Sequence, residues 1–226
     1  MVHTSTGHFV TAYTAMTNQS GCASVRPFTT SEIGISIAKG QPSNWSTPTY
    51  LVDSTCSNST HANNYPSAWS PTMVALPNGT LALAYIEYNW SIGNSSVPGC
   101  YDVFPEMYSL QCLTFDRLVF TESYNNGVNW TTPQIINQSA SNLGRNYSGM
   151  QDPQAPNLAV FGNTLYLVWE NLTQPAYSAI SAQLHLVVST NGGRSWGSMI
   201  KLPVQAGSYF GTTTSGATAA NMLVSP

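Results

Sequence analysis

Two stretches of the chain, SYNNGVNW at residues 123–130 and STNGGRSW at 189–196, share one spacing. Each has Ser, then Asn two residues on, Gly four on and Trp seven on. An Asn side chain caps nearby backbone amides, and Gly accepts a positive φ without steric cost. Trp supplies a large apolar body to pack under a turn. Each stretch is therefore predicted to be a tight β-hairpin turn. Ser123, Asn125, Gly127 and Trp130, and Ser189, Asn191, Gly193 and Trp196, are expected to carry structure rather than chemistry.

The residues around the two turns repeat as well. RLVFTESYNNGVNW (117–130) and LHLVVSTNGGRSW (184–196) align with EIGISIAKGQPSNW (32–45), where only Trp45 of the turn motif survives. Before these lie HFVTAYTA (8–15), TLALAYIEY (80–88) and TLYLVWEN (164–171), with an aromatic at one shared place: Tyr13, Tyr85 and Trp169. Before the last two lie SPTMVALPNG (70–79) and APNLAVFGN (155–163), each joined to its successor by an Asn/Gly turn, which is a hairpin signal. A fourth class follows each Trp: STPTYLV, TTPQIIN and GSMIKLP. Runs of β-branched and aromatic residues with Asn, Gly, Pro and Ser between them read as strands. No stretch shows sustained helical periodicity; AYSAISAQ (176–183) comes nearest and is short. The chain is predicted to be all-β, with a four-strand antiparallel unit repeated about three times over residues 8–56, 68–138 and 153–204. Such repetition predicts β-propeller blades rather than a sandwich.

The two turns resemble the Asp-box, Ser-x-Asp-x-Gly-x-Thr-Trp, of the sialidase-like or BNR-repeat propellers. Asn125 and Asn191 stand where that family has Asp, and Asn129 stands for its Thr. The resemblance implies that these turns lie on the rim opposite the binding face. Family sialidases use three arginines on the substrate carboxylate, a Tyr–Glu nucleophile pair and an acid/base Asp. The Arg-Ile-Pro motif that carries their first arginine is absent here.

With the motif turns on one rim, the connections between second and third strands, and between successive units, belong to the other. Insertions at 16–31, 89–115, 137–155 and 171–183 agree with that. The scarce charges gather there too. Glu87 and Glu170 end second strands, and Arg145, Tyr147 and Asp152 precede a first strand. Arg26, Asp102 and Glu106 lie in insertions. If the chain hydrolyses glycosides, Asp152, Glu87, Glu170 and Tyr147 are the candidate catalytic residues. Arg26, Arg117 and Arg145 are then the candidate substrate-binding ones. A carboxylate-pair mechanism needs a separation of about 5–10 Å.

Only six Lys+Arg and nine Asp+Glu occur in 226 residues, 7% charged in all. Ordinary domains carry about 25%. A net charge of −3 gives no basic footprint for nucleic acid. No apolar run reaches the ~18–20 residues of a membrane span. His3, His8, His61 and His185 are scattered, so no metal or cofactor is expected.

Ten Asn-x-Ser/Thr sequons, more than the acidic residues, start at Asn18, Asn44, Asn58, Asn78, Asn89, Asn94, Asn129, Asn137, Asn146 and Asn171. They predict a secreted, heavily N-glycosylated surface. Four cysteines, Cys22, Cys56, Cys100 and Cys112, fit two disulfides better than a metal site. Cys100–Cys112 would close a short loop and Cys22–Cys56 a longer one; the other pairings stay open. MVHTSTGHFVTAY lacks the basic and apolar regions of a secretion signal, so an extracellular reading needs a mature form or an internal piece.

The first unit is expected to begin at its second strand, and SGATAANMLVSP (215–226) resembles a first strand. Three blades do not close a ring, since propellers use about four to eight. Three arrangements are open: a fragment of a longer propeller, two copies closing one ring, or donation of 217–224 to a neighbour's first unit. The expected role is an extracellular module binding glycans or surface proteins. The alternatives are a glycoside hydrolase and a subunit of a surface layer or filament. Uncharged hydrogen-bonding groups keep working as carboxylates protonate. The composition therefore points to an acidic, hot habitat such as that of an acidophilic archaeon.

Overall fold

With one exception, in the second sheet, strands pair with their sequence neighbours, which yields three antiparallel sheets in chain order. The computed structural model describes residues 1–18, 29–51, 64–93, 100–101, 110–138, 150–174 and 181–206. Every regular element among them is a strand. The first sheet holds β1 (Val2–His3), β2 (His8–Asn18), β3 (Thr29–Lys39) and β4 (Thr49–Tyr50). The second holds β5 (Asn64–Ala75), β6 (Leu81–Gly93), β7 (Cys100–Tyr101), β8 (Leu110–Ser123) and β9 (Gln134–Gln138). The third holds β10 (Met150–Phe161), β11 (Thr164–Gln174), β12 (Ser181–Ser189) and β13 (Ile200–Ala206). In the second sheet β9 and β7 both pair with β8, β9 at Arg117–Phe120 and β7 at Gln111 and Cys112. This is an all-β, propeller-like arrangement of three consecutive blades.

One expectation is corrected here. The first unit does not begin at its second strand, because β1 pairs with β2 through Val2↔Val10 and His3↔Phe9. A two-residue strand leaves no periodic trace in sequence. The segment 215–226 lies outside the described residues.

Alternation along β6 explains how the blades stack. Leu81, Leu83 and Tyr85 face the first sheet and pack with Val10, Ile33, Ile35 and Val119. Ala82, Ala84 and Ile86 face the third sheet and pack with Leu158, Leu165, Leu167 and Trp169. Both faces of β6 are thus covered, so the strand reads as a continuous apolar run. Each large side chain buried this way contributes about 1.5–3 kcal/mol. The shared aromatics, Tyr13, Tyr85 and Trp169, stand opposite Gly34, Val119 and His185 on the third strands. At Gly34 a Cβ would lie 2.8 Å from Cζ of Tyr13, so only Gly leaves room for that ring.

Polar ties repeat between blades. The backbone N–H of Ser70 on β5 donates to Oγ1 of Thr14 on β2, at 3.1 Å. That of Leu158 on β10 donates to Oγ1 of Thr72 on β5, also at 3.1 Å. Both first strands bulge at a residue before Pro, Ser70 with φ 52° and Ala155 with φ 46°. The sequence repeat of 70–79 and 155–163 thus extends to an unusual backbone conformation.

Candidate functional site

The two Asp-box-like turns connect third to fourth strands, β8 to β9 and β12 to β13. The backbone N–H of Gly127 donates to Ser123 Oγ at 2.9 Å, and Ser123 Oγ donates to Asn125 Oδ1 at 3.0 Å. Asn125 Oδ1 also accepts from the Asn129 N–H at 2.8 Å, and Trp130 Nε1 donates to the Gly127 carbonyl at 3.0 Å. The second turn repeats this with Gly193 N to Ser189 Oγ at 2.8 Å, Ser189 Oγ to Asn191 Oδ1 at 2.9 Å and Ser195 N to Asn191 Oδ1 at 3.0 Å. It adds a bond that a carboxylate cannot donate: Asn191 Nδ2 to Ser195 Oγ at 2.7 Å. Trp196 meets Phe120 edge-on at 5.0 Å. The Ser hydroxyl and the Asn Oδ1 of both motifs shape the hairpin, and Trp130 Nε1 does so in the first, whereas Trp196 Nε1 is buried without a partner.

Residues 19–28, 94–99, 102–109, 139–149 and 175–180, which join strands at the opposite ends, lie outside the described residues. So do Arg26, Arg145, Tyr147, Asp102 and Glu106, and no geometry is assigned to them. Asp152 stands on β10, where the register sets it opposite Leu172 of β11.

Two of the candidate residues meet. Glu87 on β6 and Arg117 on β8 are direct cross-strand neighbours. Arg117 Nε donates to Glu87 Oε2 at 2.6 Å, and its Nη2 reaches the same oxygen. The other oxygen, Oε1, accepts from the Tyr85 hydroxyl at 3.2 Å. Burial, and then the adjacent carboxylate, push the Tyr85 hydroxyl far above the ordinary phenol range. Tyr85 therefore acts as a neutral donor. The triad sits at the seam between first and second sheets, because Tyr85 and Glu87 share a face of β6.

Glu170 does not join it. Trp169 faces the second sheet, so its neighbour Glu170 turns to the far face of the third, where it is buried at 5% exposure. Glu87 and Glu170 thus stand on strand faces that look in opposite directions. The signal was in the sequence: Glu87 lies two residues after its marker aromatic, Glu170 only one. Strand alternation puts those positions on opposite faces.

A polar cluster that sequence reasoning missed lies on the third sheet. His185 contacts Trp169 edge-on at 5.5 Å, and Asn171 follows on the same face of β11. Trp169 Nε1, Asn171 Oδ1 and both ring nitrogens of His185 are buried without a hydrogen-bond partner. Burial, and then the charge of Lys201, hold the His185 pKa below the ordinary histidine value.

Among the sequons, Asn44, Asn78 and Asn129 are exposed, and Asn137 is half-buried. Asn171 is buried at 3% exposure. The side chains of Asn18 and Asn89, and Asn58, Asn94 and Asn146 entirely, lie outside the described residues. Cys22 and Cys56 do too, while the register of β7 on β8 sets Cys100 opposite Cys112. Among the described residues no three His, Cys, Asp or Glu are grouped to hold a metal, and no helix is long and apolar enough to cross a membrane.

No protein-family model and no curated protein matches the chain. Solved structures do. A Dyadobacter fermentans protein of unknown function aligns at 13% identity and TM-score 0.49 over 86% of this chain and 51% of its own. The NanB sialidase of Streptococcus pneumoniae aligns at 11% and 0.41 over 89% and 51%. A leech intramolecular trans-sialidase aligns at 10% and 0.37 over 90% and 50%. The chain spans about half the length of each.

Proposed function

We propose that the chain is an extracellular, N-glycosylated module of the sialidase-like Asp-box class. It binds sugars or a surface protein through the face opposite its motif turns. The observation that carries this reading is the pair of Asp-box-like hairpins. They stand in the same place in two consecutive blades, and their Ser hydroxyls and Asn125 and Asn191 Oδ1 atoms bond within the turn. On this reading the motif rim serves structure, and the face opposite it is the proposed binding face. Binding rather than hydrolysis is supported by Glu87, which is held by Arg117 and Tyr85, and by Glu170, which turns away from it.

The same reading includes a Cys100–Cys112 disulfide, consistent with their opposed positions on β7 and β8. Closing a loop of this size contributes about 3 kcal/mol in the chain-entropy account. The test of function is a glycan array with sialylated and neutral glycans, run beside a fluorogenic sialoside. Saturable binding lost in Arg145→Ala, with no turnover of the sialoside, is expected. Turnover abolished by Asp152→Ala would overturn the binding-only reading and establish the hydrolase.

A second reading, assembly by strand sharing, is favoured by one observation. β1 covers β2 only at Phe9 and Val10, and among the described strands no other pairs with that edge of β2. Residues 217–224 of a neighbouring copy would continue the first-strand position. Light scattering decides it: a monomer at all concentrations rules assembly out.

A further inference from the structure

A cleft of about 240 Å³ opens on the motif rim, between the first blade and the turn that joins β8 to β9. Its lining includes Asn129, Trp130 and Thr131. These three residues are one complete sequon. Thr49 brings a hydroxyl, the Thr121 and Thr131 hydroxyls bond to each other and to the hairpin backbone and keep only acceptor capacity, Val128 and the rings of Trp130 and Tyr85 bring apolar surface, and no charged residue contributes. Trp130 is fixed by its bond to the Gly127 carbonyl. Asn129 is exposed, and its backbone N–H is already anchored on Asn125. Its side-chain amide is left to the cleft mouth.

We infer that Asn129 carries an N-linked glycan whose first sugar seats in this cleft. The inference rests on the glycoprotein reading above and gives that glycan a structural task. A sugar ring presents C–H faces to apolar surface and hydroxyls to neutral hydrogen-bonding groups, and this lining offers both. The cleft is below the ~300–1,000 Å³ of drug-sized sites, the scale of a single sugar. The bond forms when Asn129 Nδ2 loses a proton and attacks the anomeric carbon of a lipid-pyrophosphate-linked oligosaccharide, and the lipid pyrophosphate leaves with the electron pair. The other exposed sequons differ. Asn78 Oδ1 accepts from the Thr80 N–H at 3.0 Å within its turn, and neither Asn44 nor Asn78 lines this cleft.

The test is glycopeptide mass spectrometry on the protein from the cells that make it, followed by enzymatic release of glycans under native conditions. Occupied Asn129 should release its glycan about tenfold more slowly than Asn44, which corresponds to about 1.4 kcal/mol of seating, with the difference gone after denaturation. Release should lower the melting temperature of the natural protein and leave Asn129→Gln unchanged. Asn129 bare while Asn44 or Asn78 is occupied overturns this inference and leaves the glycoprotein reading standing. Every sequon bare overturns both. Equal native release rates at Asn129 and Asn44, or melting unaffected by release, overturn the seat alone.

Discussion

A Cβ placed on Gly193 would lie 2.4 Å from Cζ of Phe120. The third blade's motif turn thus presses its glycine backbone onto the second blade's core. Gly127 repeats the relationship one blade earlier, 3.0 Å from Cγ1 of Val10. The motif glycine has two jobs: it takes a left-handed conformation, φ 101° at Gly193, and it lets neighbouring blades close up. Strain of the first kind costs about 1–2 kcal/mol for a non-glycine residue, and overpacking costs about 1–3. Gly193→Ala should therefore lose about 2–5 kcal/mol by urea denaturation. Gly162→Ala is the control, because Gly162 also has positive φ, 58°, yet meets nothing within 4 Å. It should lose only about 1–2 kcal/mol. Equal losses at the two sites would rule out the packing role.

The seam between first and second blades predicts coupling among Tyr85, Glu87 and Arg117. A hydrogen bond to a charged group contributes about 1.5–3 kcal/mol, and removing one partner of a desolvated pair leaves the other uncompensated. Glu87→Ala and Arg117→Ala should each destabilise, and the double variant should lose less than their sum. A double-mutant cycle is expected to give about 1–2 kcal/mol of coupling. Tyr85→Phe should cost about 1 kcal/mol. Additive losses would show that the bridge contributes nothing to stability.

The hairpins were legible in the sequence because their cause is local. Ser123, Asn125, Gly127 and Trp130 bond almost entirely to one another, so their spacing alone encodes the turn. The blade repeat was legible for a related reason, since Tyr13, Tyr85 and Trp169 recur at one strand position. The seams between blades were less legible. Phe120 against Gly193, and Trp130 beside Thr49 in the cleft, are pairings of residues far apart in the chain. Nothing in either local stretch announces its partner. His185 looked like a stray histidine because its burial comes from a neighbouring strand and a neighbouring blade. β1 escaped notice because two residues show no alternation.

His185 gives stability a pH dependence of known sign. Its folded pKa is lowered, so between that value and the unfolded value near 6.5 the unfolded chain binds more protons than the folded one. The stability contributed by neutral His185 is complete above about pH 6.5 and is lost as pH falls toward the folded pKa, by about 1.4 kcal/mol per unit. The urea midpoint of the natural chain should drop across that window. His185→Gln removes the titration and should flatten the drop. A midpoint that stays level from pH 7 to 5 in the natural chain would rule against a buried neutral His185.

The motif amides make the opposite contribution under acid, and Asn191→Asp isolates it. In the natural chain Asn191 Oδ1 accepts from Ser189 Oγ and the Ser195 N–H, and Nδ2 donates to Ser195 Oγ. None of these bonds involves a group that titrates. An aspartate at this position would accept the same bonds as a carboxylate, which lowers its folded pKa below the ordinary ~3.9. Such a group adds stability that is present above about pH 4 and lost as pH falls through the folded pKa. Asn191→Asp should therefore be close to the natural chain at neutral pH, where the stronger charged acceptor offsets the lost Nδ2 donation. At pH 2 to 3 it should be less stable by about 1–2 kcal/mol. Urea midpoints measured for both proteins from pH 7 down to 2 check this. Parallel curves would mean that the amide gives no acid resistance, and the link between this charge-poor composition and an acidic habitat would lose its structural basis.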